Sequence, residues 1–384
     1  MKFYVVFFIF IINIYAYEIK TGAQNLTAYL PTVQHKSVAM VVNQSSTVGG
    51  SHLVDLLSEK GIKVKTIFAP EHGFRGKADA GEHIKDGIDK KSGLPIVSLY
   101  GKHKKPTSDD LKGVDVIVFD IQDVGVRFYT YLSTLHYVME AAAENNISVI
   151  VLDRPNPNAN RIDGPMLKKE FSSFVGLHPV PVLYGMTIGE YAQMINGEGW
   201  LKGGIKAELT VIRVQNYSHS DFYHLPIKPS PNLPNDLSIA LYPSLALFEG
   251  TLISAGRGTT KQFQLYGAPE YTKKDFSFVP VPRDGAKYPK HKGEVCHGVD
   301  LSGTTLEAVR ASKKMSLDYL LDAYRNYSEK EKFFLENGFI DRLAGSDELR
   351  KQIIAGKSEK EIRASWESDL KQFKKIRIKY LLYP

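Results

Sequence analysis

From residue 36 onward, short apolar runs alternate with longer stretches of helical periodicity, and this alternation constrains the fold most. The runs are rich in β-branched residues and mostly apolar, as strands buried on both faces are. Strands and helices in turn are typical of βαβ units, which place parallel strands in one sheet. The predicted strands cover residues 37–43, 63–69, 95–101, 114–121 and 148–153.

The second half of the chain has a less regular pattern of apolar and polar residues. A Thr187/Glu190 capping box marks the start of one helix, and residues 206–214 read as a further strand. Residues 225–236 are too rich in proline and asparagine for regular structure. The predicted helices cover residues 51–61, 131–146, 186–201, 319–327 and 365–382.

The length and composition indicate a globular protein of more than one domain. At roughly 100–200 residues per domain, two domains are expected, and the change of pattern divides the chain near residue 205. The chain is 43% hydrophobic and 24% charged, which excludes wholesale disorder. Its net charge of +7 is scattered and forms no basic stripe with aromatics, so no nucleic-acid partner is predicted.

The first 16 residues have the anatomy of a signal peptide. One lysine precedes an apolar run that is too short to span a bilayer comfortably. We expect cleavage near Ala16, no stable membrane anchor afterwards, and a periplasmic or secreted protein. An uncleaved N-terminal anchor is the alternative. Cys296 is the only cysteine, which excludes an intramolecular disulfide and a cysteine-based zinc site.

Polar side chains follow the predicted strands at the points where they end. In an open parallel sheet, ligands bind outside the carboxyl ends of the strands, and such groups are costly to bury unless they are used. We therefore expect them to meet at one rim. They are Asn43, then Glu71, His72 and Arg75, then Tyr100 and Lys102, then Asp120, Asp123, Arg127 and Tyr129, and finally Arg154 and Asn156.

Glu71 is the hardest of these residues to explain structurally. It stands in "APEHGFRG", where neither a helix nor a strand needs a carboxylate. The others have structural alternatives: Asp123 as a helix cap, Arg154 as the partner of Asp153 in an ion pair, and His72 as a donor to a backbone carbonyl.

A second set of polar residues lies further along the chain. It comprises Asn232, Glu249 and Arg257. The glycines on both sides of Arg257 indicate a tight loop that presents the guanidinium and backbone amides to a ligand. An ordinary glycine loop with a solvated arginine is the alternative.

Several motif classes are absent from the sequence. No GxGxxG follows the first strand, and GxxxxGK[ST], HExxH and GxSxG do not occur. Carboxylates with one histidine suit a hard or borderline cation, but the histidines do not cluster at ligand spacing. We therefore predict no metal and no cofactor.

Long ordered motifs resemble the exo-β-N-acetylmuramidases, a family of peptidoglycan-recycling glycosidases. They include "APEHGFRG", "VDVIVFDIQDVGVRFYTY", "VLDRPNPN", "PSPNLPN" and "GRGTTKQFQLYGAPEY", and the resemblance runs from residue 36 to the C-terminus. It implies a Rossmann-like domain at residues 22–205, a smaller α+β domain at 206–384, and an active site in the cleft between them. It also implies release of N-acetylmuramic acid from the non-reducing end of peptidoglycan fragments. Tyr184 departs from the pattern, since many relatives have histidine there.

The resemblance assigns a role to each candidate residue. Glu71 matches the family's catalytic glutamate and is our general acid, with His72 as its pKa tuner. Asp120 or Asp123 is the second carboxylate, unless the substrate's own acetamido group replaces the nucleophile. One arginine among Arg127, Arg154 and Arg257 binds the lactyl carboxylate. The remaining substrate-binding candidates are Asn43, Arg75, Tyr129, Asn156, Asn232 and Glu249.

Two other functions remain open at this point. One is a metal-dependent amidase or esterase of the cell wall, and the other is a peptidoglycan-binding protein with an inert cleft. The sequence indicates no oligomeric state.

Overall fold

The computed structural model describes residues 18–74 and 86–384. The predicted signal peptide, residues 1–16, and the predicted binding residue Arg75 lie outside these ranges.

The strands and helices alternate through the first half of the chain, as predicted. The strands are β1 (Ser37–Val42), β2 (Thr47–Val48), β3 (Ser51–His52), β4 (Lys63–Ala69), β5 (Gly87–Ile88), β6 (Pro95–Ser98), β7 (Val116–Asp120), β8 (Ser148–Leu152), β9 (Asp163–Met166), β10 (Pro181–Leu183), β11 (Leu209–Ile212), β12 (Leu265–Ala268), β13 (Ser277–Phe278) and β14 (Cys296–Asp300). The α-helices are α1 (Leu26–Val33), α2 (Leu53–Glu59), α3 (Tyr131–Glu144), α4 (Ile188–Gly197), α5 (Asp236–Leu245), α6 (Leu306–Ala311), α7 (Asp318–Arg325), α8 (Phe339–Ala344), α9 (Glu348–Ile354), α10 (Glu359–Ala364) and α11 (Glu367–Arg377).

A seven-stranded sheet forms the centre of the described structure, in the order β11-β8-β7-β1-β4-β6-β5. Its neighbouring strands pair in parallel, except that the short edge strand β5 runs antiparallel to β6. Without β5, the strands follow the 3-2-1-4-5-6 order of a Rossmann sheet. The predicted α/β class with a Rossmann-like parallel sheet is therefore confirmed.

Helices cover both faces of this sheet, which explains why its strands read as continuous apolar runs. Every residue of β1 and β7 is buried. Apolar residues of α3 and α4 belong to the larger core cluster, whereas Leu53, Val54 and Leu57 of α2 belong to a second cluster. Successive strand side chains point to opposite faces, so the buried strands, such as β1 and β7, contribute to both clusters.

Most element boundaries agree with the predictions to within a few residues. The third predicted strand, residues 95–101, corresponds to β6, which is shorter and ends at Ser98. Gly101 then turns the chain with a φ of 79°. The Thr187/Glu190 capping box is present at the start of α4. Residues 225–235 contain no helix or strand, and α5 begins at Asp236.

The C-terminal part combines helices with the three-stranded antiparallel sheet β12-β14-β13. The edge strand β11 belongs to the central sheet, so hydrogen bonding of that sheet extends beyond the predicted division at residues 205/206. The division itself stays a prediction. Among the helices that the structure describes, none has the length and apolar character needed to cross a membrane.

Candidate active site

A cavity of about 500 Å³ lies where the carboxyl ends of β4 and β6 face the C-terminal part of the chain. Its wall combines acidic, basic and hydroxyl groups with several aromatic rings. The polar and aromatic residues of the wall are Glu71, His72, Tyr100, Lys104, Phe128, Tyr129, Thr130, Phe174, Ser230, Asn232, Tyr242, Glu249, Arg257, Phe263 and Phe339.

Glu71 lies on the turn that directly follows β4. The next two residues, His72 and Gly73, have φ values of 69° and 77°, so the chain reverses sharply behind the carboxylate. A non-glycine residue in this left-handed region is strained, and such strain clusters at functional sites. The imidazole of His72 is buried, with Nε2 at 3.3 Å from Oγ of Ser230.

Hydroxyl groups hold the side chain of Glu71. Oγ1 of Thr130 donates to its Oε2 at 2.6 Å, and the Tyr100 hydroxyl also forms a hydrogen bond with it. Burial, together with the charge of Glu71, raises the pKa of Tyr100, so this hydroxyl stays neutral. Because a hydroxyl can donate to a carboxylate or accept from a carboxylic acid, this environment suits both protonation states of Glu71.

A second carboxylate, Glu249, also lines the wall and is paired with a cation. Its Oε1 accepts from Nη2 of Arg257 at 2.6 Å, and the guanidinium lies 5.5 Å from the ring centroid of Phe263. The glycines flanking Arg257 have φ values of 80° and 82°. The predicted tight glycine loop is therefore present.

Tyr129 and Asn232 also reach the cavity, as predicted. The hydroxyl of Tyr129 donates to the carbonyl of Pro229 at 2.8 Å. The amide of Asn232 donates from Nδ2 to the carbonyl of Gly285 at 2.7 Å, while its buried Oδ1 has no hydrogen-bond partner in the described structure. These contacts fix the 229–232 loop against the wall.

Asp120 and Arg154 do not line the cavity. They form a buried ion pair in which Nε and Nη2 of Arg154 contact the two carboxylate oxygens of Asp120 at 2.6 and 2.9 Å. The sequence-based alternative paired Arg154 with Asp153, but Asp153 instead accepts from Thr187, Gly189 and Tyr383. The adjacency of β7 and β8 brings Asp120 and Arg154 together.

Asp123 is buried outside the cavity wall. Its Oδ2 accepts from the Gly125 amide at 2.6 Å and from the Tyr184 hydroxyl, whereas Oδ1 has no partner among the described residues. Burial raises the pKa of Asp123 to about 7, although both hydrogen bonds oppose the shift. Tyr184, which stands where many relatives have histidine, thus contacts the predicted catalytic residue Asp123 directly.

Asn43, Arg127 and Asn156 are also buried outside the cavity wall. Asn43 donates to the Tyr131 hydroxyl at 2.9 Å, and Asn156 donates to the carbonyl of Met186 at 2.8 Å. Arg127 donates to backbone carbonyls from three separate segments, those of Pro165, Val180 and Leu343. Their contacts join segments of the fold.

Six predicted site residues therefore line one cavity, and six others lie outside its wall. Those on the wall are Glu71, His72, Tyr129, Asn232, Glu249 and Arg257; those outside it are Asn43, Asp120, Asp123, Arg127, Arg154 and Asn156. Their predicted functional roles stay predictions. Sequence reasoning missed Thr130, Ser230 and Tyr242, of which Thr130 directly follows the predicted Tyr129.

Metal binding finds no support in the described part of the chain. No group of three or more His, Cys, Asp or Glu side chains there is arranged to hold a metal ion. The carboxylate, imidazole and hydroxyl groups of the cavity wall fit acid–base chemistry and the binding of a polar ligand.

Comparisons with known proteins agree with the motifs. The family model described as exo-β-N-acetylmuramidase NamZ, N-terminal, matches residues 38–237, and the corresponding C-terminal model matches residues 240–383. The chain is 43% identical to the peptidoglycan β-N-acetylmuramidase NamZ of Bacillus subtilis (strain 168), over 95% of this chain and 92% of that protein.

Two crystal structures of DUF1343-family proteins from Bacteroides fragilis NCTC 9343 share the fold. One has a TM-score of 0.89 and 45% identity and covers 96% of this chain and 99% of its own. The other has a TM-score of 0.82 and 29% identity and covers 95% of this chain and 99% of its own. Since the two family models together match most of the chain, the protein belongs to the exo-β-N-acetylmuramidase NamZ family.

Proposed function

We propose that this protein releases N-acetylmuramic acid from the non-reducing end of peptidoglycan fragments, with Glu71 as the general acid. The observation that carries the assignment is the position of Glu71 on the cavity wall, between the hydroxyls of Thr130 and Tyr100. A general acid must alternate between its protonated and ionised forms. A hydroxyl neighbour accommodates both forms, because it can donate to the carboxylate or accept from the acid.

The first step is proton transfer from Glu71 to the glycosidic oxygen. The bond from the anomeric carbon to that oxygen breaks, and the leaving sugar departs as an alcohol. Positive charge develops at the anomeric carbon, as in other glycosidases. In the route through the acetamido group, the carboxylate of Glu71 then accepts a proton from the water that attacks the intermediate, whereas direct attack by water needs a base on the opposite face of the sugar.

The second catalytic group is proposed from the contacts of the candidate carboxylates. Asp120 is engaged by Arg154 and Asp123 is buried outside the wall, while Glu249 is paired with Arg257. The described wall therefore favours a nucleophile from the substrate's acetamido group or from water. The anomer released first separates these two routes, because participation of the acetamido group retains configuration and direct attack by water inverts it.

Arg257 is the arginine we assign to the lactyl carboxylate of the substrate. Of the three arginines considered, it alone lines the described cavity wall. Arg127 and Arg154 lie outside that wall, while Arg257 contacts Glu249 through Nη2 and its buried Nε has no hydrogen-bond partner in the described structure. A planar guanidinium can bind a carboxylate through two parallel hydrogen bonds.

Export to the periplasm or the medium is part of the same proposal. The apolar run near the N-terminus supports it, as does a substrate that lies outside the cytoplasmic membrane. Cell fractionation with an antibody tests it, and recovery of the full-length protein only in the cytosol would contradict it.

The decisive experiment measures hydrolysis of a chromogenic β-N-acetylmuramide beside the matching glucosaminide. We expect wild-type protein to prefer the muramide, and Glu71→Gln to lose about 10²–10⁴-fold in kcat. Glu170→Gln, on the same chain but outside the cavity lining, is the matched control. Full activity of Glu71→Gln would refute the assignment of the acid.

The same assay separates the two alternative functions. A metal-dependent amidase or esterase would lose activity in a chelator and would release peptide or acyl groups. A binding protein with an inert cleft would bind muramyl fragments without turnover. We expect unimpaired muramide hydrolysis in the presence of chelator.

A further inference from the structure

Lys104 is a second cation on the cavity wall, and the sequence did not indicate it. It lines the cavity together with Arg257. Lys102, the lysine expected at the end of the third predicted strand, is exposed and lies outside the lining. The third strand end therefore contributes a cation to the cavity, but two positions further along the chain than expected.

The ammonium group of Lys104 contacts an aromatic ring instead of a carboxylate. Its Nζ lies 4.8 Å from the ring centroid of Phe174, within the range of a cation–π interaction, and both residues line the cavity. No ion pair links Lys104 to a carboxylate in the described part of the chain, whereas its neighbour Lys105 pairs with Glu140 and Glu144 at 2.7 and 2.6 Å. Lys105 therefore has a structural role, while Lys104 brings an uncompensated charge to the cavity.

Phe174 is held in place, and this fixes the ammonium group near the part of the wall that carries Glu71. The carbonyl of Phe174 accepts from Oγ of Ser133 at 2.7 Å. The ring of Tyr100 meets the ring of Phe174 edge-on at 6.0 Å between centroids, and the Tyr100 hydroxyl forms a hydrogen bond with Glu71. Two aromatic side chains thus connect Lys104 to the proposed acid.

The other charged groups of the described wall do not supply a net positive charge. Arg257 and Glu249 form an ion pair at 2.6 Å, so their charges cancel. Glu71 is neutral in the form that donates a proton, and an imidazole such as that of His72 is mostly neutral at pH 7. A carboxylate bound at Arg257 alone would also lie close to the like charge of Glu249. The ammonium group of Lys104 offsets this repulsion.

The cavity is small enough for this charge to act throughout it. Its volume of about 500 Å³ corresponds to a sphere roughly 10 Å across, which is about the Debye length at 0.1 M salt. Salt therefore screens only part of the attraction between the ammonium group and a carboxylate bound in the cavity. Lys104 is also partly buried, so water screens its charge less than that of a fully exposed lysine.

We propose that Lys104 is a specificity-determining residue of this site, whose ammonium group favours sugars that carry a carboxylate, such as N-acetylmuramic acid, over the neutral N-acetylglucosamine. Arg257 orients the carboxylate through directional hydrogen bonds, and Lys104 supplies the net attraction that the paired guanidinium lacks. This inference rests on the proposed function and assigns the substrate preference of the same site.

The test compares the chromogenic β-N-acetylmuramide with the matching glucosaminide, which differ only in the lactyl group. The measured quantity is the ratio of kcat/KM for the muramide to that for the glucosaminide. For Lys104→Met we expect this ratio to fall about fivefold, the effect of removing one opposite charge within the cavity. The loss should appear in KM for the muramide and not in kcat, because the lactyl carboxylate keeps its charge throughout the reaction. Lys104→Arg keeps the cation and should keep the ratio.

Lys102→Met is the matched control. It makes the same change in net charge in the same loop, at an exposed position outside the lining, and should leave the ratio unchanged. A merely structural role of Lys104 predicts that Lys104→Met lowers kcat/KM equally for both substrates. That result, or an unchanged ratio in Lys104→Met, would overturn the inference.

Calorimetry with the two free sugars separates this inference from the proposed function, because binding needs no turnover. We expect the Kd of N-acetylmuramic acid to rise about fivefold in Lys104→Met and that of N-acetylglucosamine to stay the same. Equal Kd values of N-acetylmuramic acid in wild type and Lys104→Met would overturn the role of Lys104, while muramide hydrolysis would still support the proposed function. Wild-type protein that binds N-acetylmuramic acid but does not hydrolyse the muramide would overturn the proposed function alone, and protein that does neither would overturn both.

Discussion

The buried carboxyl of Asp123 makes the stability of this protein depend on pH in a calculable way. Burial raises its pKa from 3.8 in the unfolded chain to about 7 in the folded one. Between these values the folded state binds more protons than the unfolded state, so stability falls as pH rises. The stabilising contribution is complete below the unfolded pKa and is lost as pH rises through the folded one.

The magnitude follows from these two pKa values. Relative to low pH, ionisation favours the unfolded state by about 1.7 kcal/mol at pH 5 and about 4.3 kcal/mol at pH 8, at 1.36 kcal/mol per pKa unit. Asp123→Asn removes this titration. The new side-chain NH₂ group takes the position of Oδ1, which has no hydrogen-bond partner among the described residues. This buried, unpaired donor lowers the stability of the variant by about 1–3 kcal/mol, equally at both pH values.

The expected result is therefore a difference between two pH values. The free energy of unfolding of Asp123→Asn minus that of wild type should be about 2.6 kcal/mol larger at pH 8 than at pH 5, so the variant is relatively more stable at the higher pH. Urea unfolding, followed by tryptophan fluorescence at each pH, measures it. Tyr184→Phe is the companion variant: it removes a donor that favours the carboxylate, so it should destabilise more at pH 8 than at pH 5. A pH-independent difference for Asp123→Asn would refute the reasoning.

Two further predictions concern Asp120, which lies outside the cavity wall, and Thr130, which lines it. Asp120→Asn should destabilise the protein by about 3–5 kcal/mol, because it leaves the buried Arg154 guanidinium unpaired. The kcat for the muramide per folded molecule should persist, and a collapse of kcat in folded protein would restore Asp120 as a catalytic carboxylate. Thr130→Val should lower kcat about fivefold, since one hydrogen bond to Glu71 is worth about 1 kcal/mol, with Tm nearly unchanged; an unaltered kcat would show that this hydroxyl does not assist the acid.

The cavity was only partly predictable from the strand ends. Glu71, with a proline before it and a His-Gly pair after it, was identifiable because no regular element needs a carboxylate there. Asp120 and Arg154 looked equally functional in the sequence, since both also follow apolar runs. Their pairing depends on two strand ends that are 34 positions apart in the chain.

Thr130 illustrates the opposite case. A threonine before a helix reads as a possible cap, yet in the structure no side-chain cap hydrogen bond is formed and Oγ1 contacts Glu71 instead. The two residues are 59 positions apart, so only the packing of α3 against the turn after β4 reveals the contact.

The sequence by itself determined the alternation of strands and helices, the parallel sheet and the family, because periodicity, turn residues and long motifs are local properties of the chain. Only the tertiary structure decided which polar residues line the cavity and which stabilise the fold. Asp123 acquires its raised pKa, and Asp120 its partner, from burial and from contacts between distant segments. Such desolvation and pairing exist only when the chain is folded, so a carboxylate serves as a proposed acid at one strand end and as half of an ion pair at another.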